Sequence, residues 1–259
     1  SCARACRRVT LPIRMPTPAQ LVTAVRDYCR VHAQPERAGK WARYFTEGYD
    51  SWGLLDKAHP IFTTQLEAWA AAYAPLGLPG LLEAGRALFQ SGKFEEGSVA
   101  ILLVKPYRDQ ITSATLPALA AWFDGGVRNW AHSDVLCAEL LAPLLETGRL
   151  KPAAFRNWRS SPHRFQRRAA AVALLGLLKT DGGPAQALAF IEPLMEDPEK
   201  VVHQGLGWLI KEVWKLDPAL AESFLLRWKD RSPRLIISTA CEKMPAADKA
   251  RFKRAKPAR

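Results

Sequence analysis

Trp130 and Asp134 lie in the run Asn129-Trp130-Ala131-His132-Ser133-Asp134-Val135-Leu136. On a helix, residues four apart share a face, one turn above another. An indole and a carboxylate are thus expected side by side, in a chain that is otherwise strongly basic. A carboxylate in a positive field suits a reaction in which positive charge builds on the substrate, because it stabilises that charge as it forms. The structural alternative for Asp134 is an acid near a helix start, favoured there by the dipole. For each tryptophan it is core packing, since most of the nine in the chain must be structural.

The elements that must position this pair read as helices. Segments run from Leu21 to Val31, from Pro35 through Tyr44 and Phe45, and from Ala58 to Tyr73. Others run from Leu78 to Phe89, from Phe94 to Val104 and from Thr112 to Phe123. The second half continues with Trp130 to Leu145, Pro152 to Trp158, Pro162 or His163 to Leu178, and Pro184 to Met195. Glu199 to Trp214 and Pro218 to Trp228 follow, and Pro233 and Pro245 open the last two. Each stops at a glycine or proline signal. No alternating Val/Ile/Thr strand competes with them.

Helix pairs recur at roughly 35 to 40 residues without visible sequence identity, which suggests a HEAT-like solenoid with a concave basic wall. A compact helical bundle is the simpler alternative. The expected layout is a flexible segment over 1–16, one repeat domain over 17–247 and a basic tail over 248–259.

The 259 residues carry 37 Lys+Arg against 25 Asp+Glu, a formal charge of +12. That balance calls for a polyanionic partner, nucleic acid or an anionic surface. No apolar run approaches the roughly 20 residues that span a bilayer, and nothing near the first residue reads as a secretory signal. The five cysteines are scattered, with no Cys-x-x-Cys pair, and the five histidines show no metal-ligand spacing. A reducing cytoplasm, no metal and no cofactor are the expectations.

Charge is densest from Lys151 to Arg168, with Arg156, Arg159, Arg164, Arg167 and Arg168 and no acid. Six like charges repel unless an anion is present, so phosphate contact competes here with a plain solvated face. The tail, from Lys249 to Arg259, reads either as an arm adding nonspecific affinity for nucleic acid or as a solubilising end.

From Tyr28 to about Met244 the chain resembles the AlkD-like bacterial alkylpurine DNA glycosylases, HEAT-like repeat proteins that remove cationic N3- and N7-alkylated purines. Four local matches carry the resemblance. The family's Trp-x-x-x-Asp element resembles Trp130 and Asp134. Its arginine after an aromatic and a glutamine resembles Arg168 in Phe165-Gln166-Arg167-Arg168-Ala169-Ala170, with Arg167 competing for the role. Its second tryptophan resembles Trp208 in Gly207-Trp208-Leu209-Ile210-Lys211-Glu212, and its tyrosine in an Ala-Arg-Tyr run resembles Tyr44 beside Arg43. Asn129 and Ala131 depart from the family pattern.

The resemblance implies a monomeric, cytoplasmic, nucleoid-associated DNA glycosylase that works on duplex DNA without a pocket for the base. Asp134 then stabilises an oxocarbenium-like sugar and supplies water, and Arg168 lowers its pKa. Trp130 and Trp208 offer indole faces to the cation and the deoxyribose, while Tyr44 and Arg43 border the cleft. Lys211, Arg156, Arg159, Arg164 and Arg167 reach phosphates. The competing functions are a non-catalytic DNA-binding solenoid and an RNA-associated or protein-interaction HEAT module.

Overall fold

The computed structural model describes residues 15–254 apart from Leu55. In chain order the α-helices are α1 (Pro18–His32), α2 (Pro35–Ala38), α3 (Thr64–Ala72), α4 (Gly77–Gln90) and α5 (Phe94–Val104). Next come α6 (Leu116–Ala120), α7 (Trp130–Leu136), α8 (Ala142–Glu146), α9 (Arg156–Arg159) and α10 (Arg164–Val172). The last are α11 (Gly183–Ile191), α12 (Lys200–Leu216), α13 (Pro218–Trp228), α14 (Arg234–Ala240) and α15 (Ala246–Ala250). Among the described residues there is no strand, only an isolated bridge between Asp50 and Lys93.

The protein is an all-α helical-repeat solenoid. Helices α5, α7, α10, α12 and α14 pack in succession, each on the next. They begin at Phe94, Trp130, Arg164, Lys200 and Arg234, a period of about 35 residues. Long-range side-chain bonds keep the same period. Ser133 donates to the Phe165 carbonyl 32 residues on, Arg159 to Phe190 across 31, and Trp228 to Glu192 across 36. Each unit therefore buries its face against its neighbours rather than against itself. A second row of helices, including α4, α9, α11 and α13, backs the first, and one continuous apolar core runs from Leu21 to Phe252.

Small residues set how closely the first row packs. A Cβ on Gly207 would stand 2.5 Å from Thr239 Cβ and 2.9 Å from the Ile236 carbonyl oxygen, so α12 and α14 meet nearly backbone to backbone. The expected stops at Gly92 and Gly148 are turns with φ of 77° and 70°, a region that glycine enters without a Cβ penalty.

Several expected helices are interrupted at a proline or a tightened turn, those opening at Pro152, His163 and Pro184 by 3₁₀ segments. The helix opening at Pro35 gives way after Ala38 to a 3₁₀ segment, Gly39–Tyr44. The segment from Ala58 is broken by a 3₁₀ turn at Pro60–Phe62 before α3 begins. In the segment from Thr112, only Leu116–Ala120 is α-helical. Between α7 and α8 the chain stays helical but adopts a π-turn over Cys137–Leu141, with the Ala142 N–H donating to the Cys137 carbonyl. Pro143 explains the π-turn: it has no N–H to donate and its ring crowds the carbonyl four residues back.

The basic tail expected from residue 248 is, as far as Arg254, part of the packed body. Phe252 is 1% exposed, Arg251 pairs with Glu222 at 2.6 Å, and Arg254 donates to the Ser232 carbonyl. The boundary at 247 therefore falls inside the fold, because an aromatic at 252 anchors the charges around it. The expectations for residues 1–14 and 255–259, with Cys2, Cys6, Lys256 and Arg259, lie outside the described residues.

Candidate active site

Helix α7 carries Trp130 as its first residue and Asp134 as its fifth. Its start is set locally. Asn129 adopts an extended backbone and its side-chain carbonyl accepts from the His132 N–H at 2.8 Å, satisfying one of the donors a helix leaves open. His132 points into the protein. Its Nε2 faces the Phe94 carbonyl at 2.9 Å and its Nδ1 faces the Asn129 amide nitrogen at 3.0 Å, which locks α7 against α5. Burial pushes the His132 pKa down to about 4, with the Phe94 carbonyl opposing. The imidazole is therefore neutral at physiological pH: Nε2–H donates to Phe94, and Nδ1 accepts from Asn129.

Asp134 turns outward from that anchor and meets Arg168 of α10, one repeat on. Arg168 Nε donates to Oδ1 at 2.8 Å and Nη2 to Oδ2 at 2.7 Å, a two-pronged, charge-assisted pair. Nη1 donates to the Val201 carbonyl of α12 at 2.6 Å. The guanidinium thus ties three successive helices of the first row together. Its side chain is 7% exposed and that of Asp134 is 16%. Gly205 leaves the room: a Cβ there would meet Arg168 Cγ at 3.2 Å.

Two sequence expectations change here. Asp134 lies beyond the first turn of α7, so the guanidinium rather than the helix dipole is its partner. Its pKa is also raised rather than lowered. Burial pushes the carboxyl above the ordinary aspartate range, and the bonds and charge of Arg168 draw it back only in part. The bidentate geometry still requires the carboxylate, because both oxygens accept. Each keeps a lone pair beyond those Arg168 occupies.

Trp130 is half-buried. Its indole N–H donates to the Tyr44 carbonyl at 3.1 Å, and its ring stacks on Phe45 at 5.4 Å and 18°. The 3₁₀ segment Gly39–Tyr44 is thereby fastened to the start of α7. Tyr44 is 49% exposed, with the Arg43 guanidinium 4.9 Å over its ring and bonded to its hydroxyl at 3.0 Å. Trp208 sits on α12 two turns beyond Val201, half-buried in a shallow apolar depression with Leu175, Leu178 and Leu216. The structure thus joins Asp134 to Arg168 and Trp130 to Tyr44 by direct contact. Trp208 is linked to them through α12.

The basic run is partly neutralised by acids elsewhere in the fold. Arg167 forms a second two-pronged pair, with Asp197 at 2.6 and 3.2 Å, and donates to the Ser161 carbonyl at 2.8 Å. Arg164 faces Glu199 at 3.4 Å. Arg159 caps the end of α11 at the Phe190 carbonyl, and Lys211 pairs with Glu242 at 2.9 Å. Arg156 is exposed. Of the six charges, Arg164 and Arg167 meet acids of the next repeat and Arg168 an acid of the preceding one, while Lys151 and Arg156 stay exposed. The choice between Arg167 and Arg168 is also settled: Arg168 holds Asp134. Sequence reasoning missed Asp197 and the Val201 carbonyl, which carry no local signal. It also passed over Asn129, whose type and position immediately before a helix are a readable N-cap.

Among the described residues, no group of three or more His, Cys, Asp or Glu side chains is placed to hold a metal. No described helix is long and apolar enough to cross a membrane. A family profile described as DNA alkylation repair enzyme matches residues 26–244, from within α1 to just past α14. The chain belongs to the DNA alkylation repair enzyme family. That span contains every residue of the candidate site. No curated protein matches the chain. In this family member, the carboxylate, its arginine and both tryptophans come from three helices of one row, α7, α10 and α12, so the repeat itself positions these residues.

Proposed function

We propose that this protein is a DNA glycosylase that hydrolyses the N-glycosidic bond of cationic N3- and N7-alkylated purines in duplex DNA, without drawing the base into a pocket. The observation that carries the reading is the Asp134 carboxylate, fixed through both oxygens by Arg168 and one turn from Trp130. An alkylated purine is already a cation and a good leaving group, so no acid is needed to protonate it. The slow event is build-up of positive charge on the deoxyribose. Asp134 stabilises that charge and orients water with its remaining lone pairs. Arg168 holds the carboxylate ionised and immobile. Trp130 and Trp208 offer π faces to the cation and the sugar. Tyr44, Arg43 and Arg156 contact the backbone nearby. The family assignment supports DNA as the substrate. The protein acts as a monomer in the cytoplasm, at the nucleoid, with no cofactor.

The test is release of free base from duplex DNA carrying 7-methylguanine or 3-methyladenine. The native protein is expected to release base, and Asp134→Asn to slow release by about 10²- to 10³-fold, as for loss of one electrostatic stabiliser. Because burial raises the Asp134 pKa, the acid limb of the rate profile lies above an ordinary aspartate. Activity is lost as pH falls through that raised value. Equal release by both proteins would remove Asp134 from its role. No release by the native protein would favour the non-catalytic DNA-binding reading.

A further inference from the structure

A hollow beside the 3₁₀ segment Gly39–Tyr44 is lined by Arg37, Lys40, Trp41, Gly53, Asp56 and Lys57. Its indole wall, Trp41, is 41% exposed. The buried arginines Arg167 and Arg168 meet acids of a neighbouring repeat, whereas the cations of the hollow are exposed. Here, among the described residues, Arg37, Lys40 and Lys57 form no ion pair. Arg37 donates instead to the neutral Gln34 side chain at 2.8 Å, and the Lys40 ammonium sits 5.9 Å from the Trp41 ring. Asp56, the one acid in the hollow, accepts from the Ala58 N–H.

The hollow is built on fixed backbone. Gly53 has φ of 85°, and a Cβ there would stand 2.1 Å from the Gln34 carbonyl oxygen, so only glycine fits. The Gln34 N–H donates to the Trp52 carbonyl at 2.8 Å. The buried Glu95 carboxylate accepts from Ser51 Oγ and from the Trp52 and Leu54 N–H groups. Glu96 accepts from the Trp52 indole at 3.1 Å. Two buried carboxylates thus clamp one wall in place.

An exposed π face ringed by unpaired cations suits a planar, anionic ligand. A nucleotide whose base has left the stack satisfies both features: the base covers the indole and the phosphate meets the ammonium and guanidinium groups. A base inside an intact duplex cannot, because its faces are already covered. Contacts lead from the hollow to the candidate site. Trp41 and Tyr44 are 5.7 Å apart, and the Tyr44 carbonyl accepts from Trp130.

We propose that this hollow binds an unstacked nucleotide other than the alkylated one, whose own base enters no pocket, in DNA engaged at the neighbouring site, with Trp41 as the stacking surface and Arg37, Lys40 and Lys57 as the phosphate contacts. It rests on the reading of the protein as one that acts on DNA. The site selects an unpaired base without regard to its identity, since every base has a π face.

The test uses unmodified DNA, so it is independent of base release. Fluorescence anisotropy compares the whole protein on a fully paired duplex and on the same duplex with one unpaired nucleotide. The native protein is expected to favour the second by about tenfold, the scale of one base–aromatic stack. Trp41→Leu, which keeps apolar bulk and loses the ring, abolishes the preference; Trp41→Phe retains most of it. Equal binding of both duplexes by the native protein, or a preference that survives Trp41→Leu, overturns the proposal. A ring-dependent preference without base release would leave this site standing and remove the glycosylase reading. Base release without the preference would do the reverse.

Discussion

Protonation of His132 should loosen the helix that carries Trp130 and Asp134, and its size follows from the site's geometry. The neutral ring donates from Nε2 to the Phe94 carbonyl and accepts at Nδ1 from the Asn129 amide. A second proton would sit on Nδ1, facing the Asn129 NH₂ group. Relief would require turning that amide over, which would take its carbonyl away from the His132 N–H and undo the cap of α7. Burial sets the folded pKa at about 4 against 6.5 for a free imidazole. With the folded value depressed, the unfolded chain binds the extra proton first, so stability is lost as pH falls from 6.5 toward 4. The loss attributable to this one group is about 2 kcal/mol by pH 5 and about 3 kcal/mol by pH 4. Urea unfolding at pH 7, 5 and 4 measures it, with His132→Gln as reference. Glutamine can still donate toward Phe94 but does not titrate. The variant will be less stable at neutral pH, yet the gap between the two proteins should close by those amounts as pH falls, other groups cancelling. Parallel profiles would refute the reasoning.

Arg168→Ala leaves a buried carboxylate without its cation and the Val201 carbonyl without its donor. It should cost about 3–5 kcal/mol, read as a shifted urea midpoint; a cost below about 1 kcal/mol would mean water replaces the guanidinium freely. Phe252→Ala should cost about 3 kcal/mol in the same assay, because residue 252 belongs to the core. A neutral effect would restore the picture of a detached tail.

Much of the architecture is legible in the chain. Apolar periodicity and glycine or proline stops locate the helices, and their recurrence identifies a repeat stack. The errors fall where prolines meet helical patterns. Periodicity registers that side chains share a face, whereas the missing N–H of Pro143 changes the bonding to a π-turn five residues long. The tail was misread because its many charges mask one aromatic. Phe252 contributes little to local composition but decides where residues 248–254 lie.

The site divides along the same line. Residue types and their four-residue spacing place Trp130 and Asp134 on one face, because both belong to one helix and helical geometry is local. Whether Arg167 or Arg168 serves Asp134 was decided only by packing. Adjacent helical residues point about 100° apart, so one guanidinium faces Asp134 behind it in the chain and the other faces Asp197 ahead. The pKa direction was likewise tertiary. Proximity to an arginine is visible in a motif, but the burial that outweighs it arises only when α7, α10 and α12 close around the pair. A sequence displays which charges exist; the stacking of one repeat on the next determines which of them remain facing water.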